Sequence, residues 1–110
     1  MSSCFISNET KRIYAERMAE NLPMLRKKLG LSQTEIGKLI GVSRQAISSF
    51  ENKVRLMPWQ NFVSLLFVFN ENAGTRSILP VLEIYTPELV EIFRTGDFTR
   101  MTSTVKGADD

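Results

Sequence analysis

The chain has 110 residues, 43% of them apolar, with 14 Lys and Arg against 12 Asp and Glu and a net charge of +2. That is room for one domain with a real core and excludes two domains of ordinary size. The absence of histidine and the single cysteine, Cys4, exclude an intramolecular disulfide, a multi-cysteine or mixed zinc site, and Ser–His or Cys–His nucleophile pairs.

No paired-carboxylate or glycine-rich phosphate motif is visible either, so no enzyme, metal or cofactor is expected. The most apolar stretch, residues 62–69, is far shorter than the roughly 20 residues that span a bilayer. The first residues form no secretory signal. A soluble, cytoplasmic protein is expected. The charges divide unevenly: residues 11–55 carry a net +6, and residues 56–110 a net −3. A basic front half on an acidic back half is the asymmetry of a protein with one face toward a polyanion.

In chain order, residues 1–8 read as frayed. A helical pattern starts near Glu9 and places Ile13, Met18, Leu22, Leu25 and Leu29 on one side. Pro23 lacks an N–H donor and crowds the preceding turn, so this long first helix is expected to break or kink around 21–23 and to end at a Gly30 cap. Ser32 and Glu35 form a capping-box pair, which starts a second helix at Gln33 and carries it to Ile40 before Gly41. Ser43 is the next N-cap, opening a third helix from Arg44 to about Asn52.

After a loop at 53–57, Pro58 opens a fourth helix to about Glu71, apolar on nearly every side and therefore expected to be covered by the C-terminal helices or by a second subunit, with Leu65–Phe69 and 78–93 the expected dimer surface. Residues 72–74 read as a turn. Ile78, Leu79, Val81, Leu82 and Ile84 read as a fifth helical run, with Pro80 near its start. Thr86, Pro87 and Glu88 are the N-cap, first-position and early-acid signature of a last short helix to about Arg94. Residues 96–110 are polar and read as a mobile tail. The division expected is therefore 9–71 as one domain, 72–95 as a helical extension and 96–110 as tail.

The segment LSQTEIGKLIGVSRQAISSFENK, residues 31–53, carries the functional content. Ile36, Ile40, Val42, Ile47 and Phe50 must face inward. Gly37 sits where two short helices pass closely, and Gly41 occupies a turn that often needs positive φ. The outward side of the third helix presents Arg44, Gln45, Ser48 and Ser49, an uncharged-to-basic polar face that suits the edges of base pairs.

From Asn21 to Leu66, including NLPMLRKKLG before this segment and MPW after it, the chain resembles the helix-turn-helix of the phage repressor and Cro proteins, the XRE family. It departs from the pattern at Lys53, where a glycine usually follows the Glu-Asn pair. The resemblance implies an all-α, five- to six-helix, lambda-repressor-like DNA-binding domain with a C-terminal helical extension. It also implies that the third helix lies in the major groove of double-stranded DNA.

By motif position, Arg44, Gln45 and Ser49, with Ser48 beside them, are the base-contacting candidates. Arginine suits guanine O6 and N7, and glutamine suits adenine N6 and N7. Gln33, Ser43, Asn52, Lys53 and Arg55 are the phosphate-contacting candidates. Arg26 has two readings, an ion pair with Glu51 or a phosphate contact. The function implied is a sequence-specific transcriptional regulator, a repressor acting on an inverted repeat as a homodimer. The alternative is an antitoxin-type autoregulator that neutralises a partner protein through residues 78–93.

Overall fold

The computed structural model describes residues 6–95, which form six helices and no strand. They are α1 (Asn8–Lys28), α2 (Gln33–Ile40), α3 (Arg44–Glu51), α4 (Trp59–Asn70), α5 (Ala73–Arg76) and α6 (Pro87–Thr95). The described residues are all-α, as the sequence predicts. α1 packs against α3, α4 and α5, α2 against α3 and α4, and α4 against α5. Cys4 and the 96–110 tail lie outside the described residues.

α1 begins earlier than the pattern predicts. Ser7 is its N-cap, its hydroxyl accepting from the Thr10 N–H, and Ile6 is buried, so residues 6–8 are part of the fold. The expected break near Pro23 does not occur, since the proline lies inside one continuous helix. One missing N–H is outweighed by the burial of Met18, Ala19, Leu22 and Leu25, which keeps both sides of Pro23 on the same core. Gly30 (φ 72°) ends the helix, the Leu31 N–H reaching back to the Arg26 carbonyl at 2.9 Å.

The second and third helices begin where their caps predict. Ser32 and Glu35 exchange both hydrogen bonds of a capping box. Those bonds to the Ser32 backbone and side chain hold the Glu35 carboxyl below its ordinary range. The Ser43 hydroxyl accepts from the Ala46 N–H. The turn between the helices runs through Gly41 at φ 83°.

After α3 the chain exits through Lys53 at φ 61°, with the Val54 N–H bonded to the Ser49 carbonyl. A side chain in this left-handed region costs about 1–2 kcal/mol. The lysine's contact with Glu20, 3.8 Å between two well-exposed groups, offsets little of it. Lys53→Gly is therefore expected to stabilise the fold by about 0.5–1 kcal/mol, after subtracting the extra chain entropy of glycine. The measurement is the urea midpoint, and a decrease would show that contacts hold the lysine in place.

The C-terminal part departs most from expectation. Residues 72–74 are not simply a turn, because Ala73 and Gly74 open the short helix α5. Residues 78–84 are not a helix but a series of turns. Pro80 cannot donate to the preceding turn, and the chain leaves through Glu83 at φ 60°, with the Ile84 N–H on the Leu79 carbonyl. Leu79 and Ile84 are nonetheless fully buried, brought inward by the reversal instead of by helical period.

α4 begins one residue later than predicted, with Pro58 at its N-cap, and it is not covered all round. Phe62, Leu65, Leu66 and Phe69 are buried, but Phe67 is 67% exposed. α6 follows Thr86, whose Oγ1 accepts from the Leu89 N–H and shares a 2.5 Å hydrogen bond with the Tyr14 hydroxyl of α1. Tyr14 packs in turn on Trp59 and Phe62 of α4, with ring centroids 6.4 and 5.8 Å apart. Arg17 donates to the Glu83 carbonyl at 2.9 Å. One continuous apolar cluster thus runs from Ile36, Ile47 and Phe50 through Leu22 and Phe62 to Leu79, Ile84 and Leu89.

Candidate nucleic-acid interface

α3 is anchored from below by Ile47 and Phe50, both fully buried, with Ala46 partly buried beside them. The helical period then leaves Arg44 and Gln45 exposed and Ser48 and Ser49 half-buried on the other side. These four, with Ser43, Ala46 and Arg55, line one shallow polar hollow. Arg55 comes from the loop after α3, and its guanidinium lies over the Phe50 ring, 5.4 Å from the centroid. That contact favours a cation beside the outward face of α3.

α2 meets α3 closely because Gly37 has no side chain. A Cβ there would lie 2.6 Å from the Val42 carbonyl oxygen, and Ile47 and Ser43 are also within 3.5 Å.

Behind the outward face of α3 sits an ion pair. The Arg26 Nε donates to Glu51 Oε2 at 2.7 Å, and an Arg26 terminal nitrogen donates to Oε1 at 3.1 Å. A further Arg26 nitrogen reaches the Leu31 carbonyl at 3.3 Å. The side chains of Arg26 and Glu51 are 12% and 6% exposed. Hydrogen bonding to Glu51 raises the Arg26 pKa against the opposing effect of burial. Arg26 thus lies in the Glu51 pair, fixing α1 to the end of α3.

Gln33, at the first position of α2, extends this cluster. Its Nε2 donates to Glu51 Oε1 at 2.9 Å, and its Oε1 accepts from Arg44 at 3.5 Å. Asn52 donates to the Ser48 hydroxyl at 3.3 Å, and Lys53 reaches toward Glu20 on α1. Of the residues predicted from sequence, Ser43, Arg44, Gln45, Ser48, Ser49 and Arg55 come together in the hollow. Gln33 adjoins it through Arg44, Arg26 lies behind it, and Asn52 and Lys53 are not among the residues that line it. The double engagement of Glu51, with Gln33 as well as Arg26, was not anticipated. It depends on how α1, α2 and α3 pack, and no local spacing signals it.

Residues 24–58 match the helix-turn-helix family HTH_3. Over that stretch the chain is similar to the helix-turn-helix of the XRE family. The matched stretch runs from the last turns of α1 to the residue before α4, so it contains Gln33, Glu51 and the whole hollow and leaves α4–α6 outside. No curated relative and no solved structure matched the chain. The XRE helix-turn-helix is a DNA-binding unit of transcriptional regulators. Among the described residues no helix is long and apolar enough to cross a membrane.

Proposed function

We propose that this chain is a sequence-specific transcriptional regulator, a repressor that binds an inverted-repeat operator as a homodimer. The observation that carries the reading is the polar hollow of α3, where Arg44, Gln45, Ser48 and Ser49 stand outward on a helix-turn-helix with Arg55 beside them. In this reading Arg44 and Gln45 read base edges and the two serines assist. Ser43, Asn52, Lys53, Arg55 and the N-terminus of α2 with Gln33 hold phosphates. Arg26 acts by positioning α3, its nitrogens being engaged with Glu51 and Leu31.

The division of labour assigns 9–71 to DNA and 72–95 to association. Leu79, Ile84 and Leu89 are consumed by the core, which narrows the surface for a second copy. What remains is an apolar hollow between α4 and α6, lined by Val63, Leu66, Phe67, Asn70, Tyr85 and Phe93. The exposure of Phe67 and Phe93 favours an occupant there. The antitoxin alternative places a partner protein on the same hollow. Sedimentation of the purified chain separates the two, since the homodimer reading requires self-association without a partner.

The test is selection of binding sites from random double-stranded oligonucleotides. A palindromic enriched motif is expected, and enrichment of nothing would overturn the reading. Arg44→Ala is expected to flatten the preference at one base position per half-site, by about 1–3 kcal/mol of discrimination. A dimer neutralising about six to ten phosphates should bind about a thousandfold or more weakly at 200 mM than at 50 mM salt.

A further inference from the structure

We propose that the hollow between α1 and the loop after α3 binds a free amino acid with an apolar side chain, and that its occupancy weakens DNA binding by recruiting Arg55. The site stands on its own geometry. Its effect on DNA rests on the DNA-binding reading above and deepens it.

The hollow has a volume of about 350 Å³, within the range of about 300–1,000 Å³ usual for small-ligand sites. Its floor is apolar, made by the buried side chains of Ala19, Phe50 and Met57, and Leu56, 52% exposed, forms a lip. The rim is charged and divided by sign. Glu16 and Glu20 come from α1, Lys53 and Arg55 from the loop. An apolar floor between rims of opposite charge complements a molecule with an ammonium group, a carboxylate and a hydrocarbon side chain. A fatty acid or a simple amine matches only part of it.

The rim is also poorly satisfied by the chain itself. Glu16 is held by Arg12 at 2.8 Å, but Glu20 has only the Lys53 ammonium, 3.8 Å away and well exposed. Arg55 has no carboxylate partner among the described residues. Lys53 reaches the rim from a left-handed backbone, φ 61°, a strain that so exposed an ion pair barely offsets. A zwitterion completes this arrangement without stranding a charge. Its ammonium takes the place of Lys53 beside Glu20, and its carboxylate meets the freed Lys53 and Arg55. Its side chain takes Leu56 out of water.

Arg55 is the link to DNA. It also lines the polar hollow of α3 beside Arg44 and Gln45, so one guanidinium serves two hollows. A carboxylate held in the first draws it from the second. By reciprocity, DNA then lowers the affinity for the amino acid.

The test uses the full chain, with L-leucine, L-methionine and L-phenylalanine as probes in equilibrium dialysis without DNA. Saturable binding of at least one, at one molecule per chain, is expected. If leucine binds, isoamylamine, isocaproate and glycine, which lack its carboxylate, ammonium and side chain in turn, should each bind at least about tenfold more weakly. Glu20→Gln and Leu56→Ser change exposed positions outside the DNA-contacting set. Each should weaken binding of the probe about fivefold or more at an unchanged urea midpoint. On the selected DNA site, a saturating probe should weaken binding about tenfold and lower the salt slope by about one per protomer.

No saturable binding of any of the three, or binding that Glu20→Gln and Leu56→Ser both leave unchanged, would overturn the site. Binding with no change in DNA affinity would overturn the coupling through Arg55. Failure of the chain to select any DNA motif would instead overturn the DNA-binding reading, while the dialysis result decides the site by itself.

Discussion

Glu51→Ala should lower the free energy of unfolding by about 3–5 kcal/mol, because it strands a guanidinium that burial has removed from water. The Arg26 side chain is only 12% exposed and loses two charge-assisted bonds at once, while the Gln33 amide loses its acceptor. For a domain whose total stability is about 5–15 kcal/mol, that is about a fifth of the folded margin or more. The measurement is urea denaturation, read as a lower midpoint at unchanged slope. Replacing both partners with apolar residues, as in Arg26→Met/Glu51→Leu, should recover most of the loss, since no charge is then left unpaired. A Glu51→Ala midpoint equal to wild type would mean that water reaches Arg26 freely.

Gly37→Val should be the other severe substitution, costing about 3 kcal/mol through overpacking. The first added carbon would already lie 2.6 Å from the Val42 carbonyl oxygen, a backbone atom with little room to yield. The same glycine's carbonyl accepts from the Gly41 and Val42 N–H groups, so a shift at 37 loosens the turn that aims α3. Gly37→Ala brings the same Cβ against the Val42 carbonyl oxygen and should also destabilise, by less than valine because it adds no further methyl groups and gains about 1 kcal/mol of helix propensity. Thermal unfolding of the two variants, followed by DNA binding of whichever folds, gives the check. Equal melting temperatures for valine and alanine would show that the crossing of α2 and α3 tolerates widening.

The part of the fold legible in the sequence was the part set locally. Ser32 with Glu35, Ser43, Gly41 and Gly30 fix helix starts and stops within a few residues of themselves. The segment they frame also carries the family pattern. What misled was decided by distant packing. Pro23 reads as a break or kink in a long first helix, and the long helix is found unbroken, with Met18, Leu22 and Leu25 buried on one core. Ile78–Ile84 has helical spacing, yet the chain reverses through Pro80 and Glu83 to bury Leu79 and Ile84. The all-round apolar helix reads as needing cover from the C-terminal helices or a second subunit, and at Phe67 no described element supplies it. For the site, the outward face of α3 could be read from its period. The engagement of Gln33 with Glu51, eighteen positions apart, could not.

The apolar cluster that joins Phe50 beneath α3 to Leu89 of α6 leaves the molecule without an internal seam. The Tyr14–Thr86 hydrogen bond closes the same loop from the α1 side. A body without a seam melts as a whole, so whatever grips α4 or α6 in the folded form holds α3 in place by mass action. Present at a hundred times its dissociation constant, such a binder would add about 2.7 kcal/mol to the stability of a surface it never touches.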